Sequence, residues 1–180
     1  FHPAMKNVAP IRKELGVKTF FNMLGPMVNP ASPPRQLTGV FSLELARHYA
    51  YLYQGLGKSF VILHDLQGYD EISLTGPVKI YSNQGEMLLY PSDFGLNEVR
   101  PEEIRGGSTV EEAASIFINV LRGNGTKAQT DVVIANAALA LFASGTFASL
   151  TDGVAAAKES LQGGAPLRIF EEITALSRED

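Results

Sequence analysis

Ser59 to Leu63 reads SFVIL, β-branched and aromatic with no polar position to break it. That is the pattern of a strand covered on both faces, as in a parallel sheet. A strand is predicted over Lys58–Leu63 and another over Gln36–Phe41. Between them, Ser42 is placed to cap a helix from Leu43 to about Leu56, with Glu44 in its first turn. Strand, helix and strand over about 30 residues make one βαβ unit. Val78–Ser82 and Glu86–Tyr90 flank Asn83-Gln84-Gly85 and predict a hairpin with the glycine at the left-handed position.

From Ser108 onward the periodicity is helical. Ser108 with Glu111 predicts a capping box for a helix to about Arg122, closed by Gly123. Asp131–Ser144 is apolar on nearly every side, so it is predicted to lie deep in the core, ending at Gly145. Asp152–Leu161 and Leu167–Leu176 predict two amphipathic helices joined by a Gly-Gly-Ala-Pro turn. Upstream, Asn7–Leu15 predicts a short helix with Pro10 in its first turn and Gly16 after its end. Thr19–Leu24 is apolar and stops at Gly25-Pro26. Pro26, Pro30, Pro33 and Pro34 predict a stiff irregular loop through VNPASPPR. The fold class is therefore α/β: a central, mostly parallel sheet flanked by helices, with a β-hairpin and a helical C-terminus.

Composition narrows the function classes. Hydrophobic residues make up 45% and charged residues 19% of the 180, an ordinary balance for one globular domain. The net charge of -4 supplies no basic footprint, which disfavours nucleic acid as a partner. No apolar run approaches the roughly 18 residues of a membrane span, so no membrane partner is expected. Cysteine is absent, which excludes disulfides and thiolate metal sites and fits a cytoplasmic location. Phe1 opens the chain where a methionine is usual, so a fragment or processed chain is expected.

Candidate chemistry gathers where SFVIL ends. HDLQGYDEIS, residues 64–73, places Asp70 and Glu71 side by side after Gly68. In α/β sheets ligands bind beyond the carboxyl ends of the strands. Two adjacent carboxylates repel, and a hard cation such as Mg²⁺ removes that repulsion while sharing phosphate oxygens. A solvated polar turn explains the pair on sequence alone just as well. Gly68 is expected to let backbone approach a ligand. Arg12 carries the planar guanidinium that best grips a carboxylate, and an intrahelical partner does not account for it. His2 reads as a terminal histidine or a ligand donor, Gly25-Pro26 as a helix stop that positions a loop. His48 reads as helix surface and His64 as structural. No phosphate loop, nucleophile elbow or zinc spacing is present.

HPAMKNVAPIRKELGVKTFFNMLGPMVNP, residues 2–30, resembles the anthranilate phosphoribosyltransferases of tryptophan biosynthesis. HDLQGYDEIS resembles their HGxDGLDEIS motif, and NAALALFASG, residues 136–145, is similar to their NAAxALY region. The resemblance implies a fold of the nucleoside phosphorylase and phosphoribosyltransferase type. It also implies a reaction in which the amine of anthranilate attacks C1 of phosphoribosyl pyrophosphate and pyrophosphate leaves with Mg²⁺. Carried over by motif, Arg12 would clasp the anthranilate carboxylate, and His2, Met5, Gly25 and Pro26 would line the anthranilate channel. Asp70 and Glu71 would hold Mg²⁺, and no residue is assigned as catalytic. The family is homodimeric, its dimer made largely by its helical domain.

Two departures stand beside the diacid: Asp65 replaces a family glycine and Tyr69 a family leucine, which is expected to tune the loop. The family's N-terminal helical domain and its GTGGD, NxST and KHGNR segments have no counterpart here, so residues 1–180 read as the C-terminal part of the α/β domain. The chain alone is expected to be inactive and to hold no metal on Asp70 and Glu71 without substrate. Two other readings stand beside this one: a pyrimidine nucleoside phosphorylase-like enzyme, and a non-catalytic nucleic-acid-binding relative of the same fold.

Overall fold

The computed structural model describes Pro10, Ile11, Glu14, Gly16, Met23 and residues 25–177. The chain divides into two units, residues 1–34 and residues 35–180. In the first, Pro10, Ile11, Glu14 and Met23 are helical. Gly16 has φ +61°, the left-handed geometry expected of a glycine that ends a helix. Gly25–Met27 forms a single 3₁₀ turn. The proline-rich segment after it is irregular, tightened where the Asn29 carboxamide accepts the Ala31 N–H at 3.0 Å.

The second unit opens with β1 (Arg35–Gly39), α1 (Leu43–Gly55) and β2 (Ser59–Asp65), the predicted βαβ unit. Ser42 is extended and its hydroxyl accepts the Leu45 N–H at 3.2 Å, so it caps α1 as its residue type requires. β1 and β2 run parallel, Gly39 opposite Leu63. β3 (Val78–Ser82) and β4 (Gly85–Leu89) follow as an antiparallel hairpin, giving the sheet order β1-β2-β3-β4. Gly85, at φ +110°, carries the positive φ of its turn. Asn83 in that turn accepts the Phe60 N–H at 2.8 Å and donates to the Lys58 carbonyl at 2.9 Å, tying the hairpin to the start of β2.

The α/β class holds, but the mostly parallel sheet does not: of the three ladders among the described residues, β1–β2 alone is parallel. β3 lies antiparallel to β2 because no helix crosses between them. Parallel neighbours need a crossover, usually helical. Here the chain turns back through a loop whose neck is closed by the Leu66 N–H on the Pro77 carbonyl at 3.0 Å.

Alternation along the strands sorts the two faces. Phe60 and Ile62 face α1, where Tyr53 lies against Phe60 with ring centroids 5.8 Å apart. Val61, Leu63, Val78 and Ile80 pack on the opposite face in one buried cluster with Ile134, Ala135, Ala138, Leu139, Val154, Ala157 and Leu161. The helices of that cluster are α3 (Lys127–Ala143) and α4 (Leu150–Gln162); α2 (Val110–Leu121) and α5 (Ala165–Leu176) complete the C-terminal layer. Gly153 sets the closeness of α3 and α4, since a Cβ there would lie 3.0 Å from the Ala138 carbonyl.

Among the helix boundaries that differ from the expectation, two are set by capping, and one burial pattern differs as well. Thr109, not Ser108, caps α2, accepting the Glu112 N–H at 3.2 Å; the Glu112 carboxylate then reaches back to the Ser108 N–H. α3 begins four residues before Asp131, because Thr126 and Gln129 form a full capping box. It is also not buried all round: Val133 is 42% exposed. Its apolar outer side lines an open groove of about 540 Å³ with Leu121, Leu161 and Pro166.

Candidate functional site

The C-terminal ends of the parallel pair β1 and β2 carry the site. β2 ends in His64 and Asp65, both buried, and the chain then emerges as the loop Leu66–Pro77. His64 faces the α1 side and its Nδ1 donates to the Val40 carbonyl at 2.8 Å, which is the structural role expected of it. Asp65 faces the other side and organises the loop. One oxygen accepts the Gln67 N–H at 2.8 Å; the other accepts the Ser73 N–H at 2.9 Å and the Ser73 hydroxyl at 2.7 Å. Its backbone closes two more bonds, donating to the Tyr69 carbonyl at 3.1 Å and accepting the Gly68 N–H at 2.9 Å.

Two contacts from other elements fix the same loop. The Asn136 carboxamide, on α3, accepts the Ile72 N–H at 3.0 Å and donates to the Ile72 carbonyl at 2.8 Å, so it reads one residue as a neighbouring strand would. It also donates to the Val132 carbonyl at 2.9 Å in its own helix, which locks the amide's orientation. From β1, Gly39 meets the Asp70 backbone: a Cβ on Gly39 would lie 1.7 Å from the Asp70 carbonyl oxygen. Close approach of one backbone to another is thus the property of Gly39, while Gly68 has open space around it and a positive φ of +96°.

Asp70 and Glu71 sit at the crest of this braced loop, both exposed. Among the described residues neither takes part in a side-chain hydrogen bond or an ion pair. Elsewhere among the described residues the ion pairs are Lys79–Glu86, Arg100–Glu103 and Lys127–Asp131. No third histidine or carboxylate joins the pair into a protein cage among the described residues. This donor set fits Mg²⁺, which keeps several waters and is held by one or two carboxylates together with phosphate oxygens.

Of the residues expected on the anthranilate side, Gly25 and Pro26 begin the 3₁₀ turn of the first unit, Gly25 exposed and Pro26 half-buried. His2, Met5 and Arg12 lie outside the described residues. Sequence reading missed Gly39 and Asn136 as supports and saw in Asp65 only a departure from a motif. The Asp65–Gln67 contact was legible as the i to i+2 signature of an aspartate turn. The bonds across eight residues to Ser73, and from α3 to Ile72, leave no local signal.

The likeness to known proteins extends over nearly the whole chain. The chain is 57% identical over 178 residues to the anthranilate phosphoribosyltransferase of Christiangramia forsetii, covering 99% of this chain and 54% of the relative. It superposes on the anthranilate phosphoribosyltransferase of Thermus thermophilus with a TM-score of 0.88 at 37% identity, covering 99% of this chain and 54% of that one. The Saccharomyces cerevisiae anthranilate phosphoribosyltransferase, solved in complex with PRPP and Mg, matches with a TM-score of 0.84 at 31% identity, over 95% of this chain and 49% of that one. The same yeast protein has also been solved with 4-fluoroanthranilate. The chain thus spans about half the length of the curated relatives it matches. The resemblance carried by residues 2–30, 64–73 and 136–145 is borne out by these likenesses. The family model of the glycosyl transferase family, a/b domain, matches residues 1–167, and the chain belongs to that family.

Proposed function

We propose that this chain serves the transfer of a phosphoribosyl group from phosphoribosyl pyrophosphate to anthranilate, giving N-(5-phosphoribosyl)anthranilate and pyrophosphate, in tryptophan biosynthesis. The observation that carries the reading is the exposed, otherwise unengaged Asp70–Glu71 pair on a loop braced at the carboxyl ends of β1 and β2. The likeness to enzymes of that name supports it. Because the chain spans about half the length of those relatives, the activity is proposed for a polypeptide of their full length. The 180 residues alone are expected to turn over negligibly.

The division of labour follows from the chemistry. Asp70 and Glu71 would hold Mg²⁺, which would neutralise the charge that develops on the leaving group. Asn136 and Gly39 fix the backbone of the loop that carries those two carboxylates. Arg12 clasps the carboxylate of anthranilate, with His2, Met5, Gly25 and Pro26 along its channel. The attacking group is already an amine, so no side chain is assigned to activate it. A homodimer and a cytoplasmic location are part of the same proposal. Among the described residues no helix is long and apolar enough to cross a membrane.

The test is consumption of anthranilate, read by its fluorescence, in a polypeptide of the relatives' length containing this chain. Dependence on phosphoribosyl pyrophosphate and Mg²⁺ is expected, with a fall of about 100-fold in Asp70→Asn/Glu71→Gln. Absence of anthranilate consumption, or phosphorolysis of thymidine in its place, overturns the reading.

A further inference from the structure

Asp65 is fully buried, and no ion pair to it occurs among the described residues. A buried carboxylate without a cation is costly unless its lone pairs are filled by donors. Asp65 meets that condition with three donors, two from Ser73 and one from Gln67. The Ser73 hydroxyl is itself held in place. Its hydrogen goes to Asp65, while the Thr75 N–H and hydroxyl approach its oxygen at 3.0 and 2.7 Å. The two ends of the segment Gln67–Ser73 therefore converge on one side chain, and Asp70 and Glu71 lie between them.

From this we infer that Asp65 is the positioning residue of the metal-binding pair: its carboxylate closes the loop on both sides so that Asp70 and Glu71 are preset to receive a divalent cation. The inference rests on the reading of Asp70 and Glu71 as that pair. A carboxylate suits the task better than its amide. Both of its oxygens accept, one toward each end of the loop, whereas an asparagine in its place would turn an N–H₂ toward a backbone N–H on one side. The ordering of the loop backbone is in place before any cation arrives, so less has to be fixed when one binds.

The test uses a polypeptide of the relatives' length containing this chain, with inorganic pyrophosphate present, and terbium(III), a hard ion that seeks carboxylate oxygens and whose luminescence is sensitised by a neighbouring tyrosine. The chain has no tryptophan, and Tyr69 is adjacent in sequence to Asp70. The signal lost in Asp70→Asn/Glu71→Gln defines the share that belongs to the pair. In Asp65→Asn the half-saturating terbium concentration of that share is expected to rise at least about tenfold, the usual scale for removing a residue that orients metal ligands. Amide hydrogen exchange at Tyr69–Glu71 is expected to accelerate at least about tenfold in the same variant without metal, while the amides of α3 keep their protection. Should Asp65→Asn fail to fold, Ser73→Ala removes one of the three donors. It is then expected to raise the terbium midpoint about threefold.

An unchanged midpoint or unchanged loop exchange overturns the inference and leaves the metal reading standing. If the double variant loses no terbium signal, the metal reading itself fails, and the positioning role with it. Loss of protection spread through α3 in Asp65→Asn shows a general support of the fold and also overturns the inference.

Discussion

Gly39→Ala isolates the closest contact in the candidate site. The added Cβ lies 1.7 Å from the Asp70 carbonyl oxygen and 2.7 Å from its carbon. Real Cβ contacts essentially stop at 3.0 Å, so the Asp70 backbone has to retreat by about 1.3 Å. Both partners are main chain, and neither can swing aside as a flexible side chain would. A shift of that size carries the Asp65–Tyr69 bond at 3.1 Å and the Ile72–Asn136 bond at 3.0 Å beyond hydrogen-bonding range. Overpacking costs of about 1–3 kcal/mol and about 1 kcal/mol for each of the two lost bonds together predict a destabilisation of roughly 3–5 kcal/mol. Misplacement of the diacid by about 1 Å is expected to cost on the order of 100-fold in transfer rate in a polypeptide of the relatives' length. Urea unfolding reads the first effect and anthranilate fluorescence the second.

Gly68→Ala is the control, because open space surrounds Gly68 and only its positive φ penalises a side chain, by about 1–2 kcal/mol. A Gly39→Ala protein within about 0.5 kcal/mol of the parent, or one less damaged than Gly68→Ala, refutes the steric reasoning.

Three further outcomes follow from packing and capping. Thr109→Ala is expected to lower stability by about 1 kcal/mol and Ser108→Ala by far less, measured by thermal melts, since the Thr109 hydroxyl and the Ser108 backbone are the groups used. Leu139→Ala, at the centre of the cluster, is expected to cost about 2–5 kcal/mol in urea unfolding. Burial holds the hydroxyls of Tyr49 and Tyr53 above the ordinary value of 10.0, each as the larger cause; Tyr53 adds to the shift at Tyr49, and a hydrogen bond with Gln36 opposes it at Tyr53. The neutral form is thus favoured in the fold. Stability from these groups is complete below pH 10 and declines as pH rises through the raised folded values, so Tyr49→Phe/Tyr53→Phe is expected to flatten that alkaline loss.

Local chemistry accounts for what was legible in the sequence. Ser42, the SFVIL run and the Asn83-Gln84-Gly85 turn act through neighbours a few residues away, and each produced its element at its place. The one-residue error at Thr109 arose because Ser108 and Thr109 offer the same hydroxyl, and only the backbone geometry chooses between them. The early start of α3 was written in Thr126 and Gln129, but the apolar run from Asp131 drew the boundary later. The direction of the β2–β3 ladder was not legible: an apolar strand reads alike in parallel and antiparallel ladders, and the loop between β2 and β3 decided it.

The candidate site divides along the same line. Residue order is enough to place two carboxylates after a buried strand, because strand and diacid are contiguous. How they are held is settled by packing in three dimensions. Asp65 reaches Ser73, Asn136 on α3 grips Ile72, and Gly39 on β1 gives room to Asp70, over separations of 8, 64 and 31 positions. Such contacts depend on where β1, β2 and α3 pack, and burial of the shared apolar cluster sets that packing without leaving a pattern between the residues that meet.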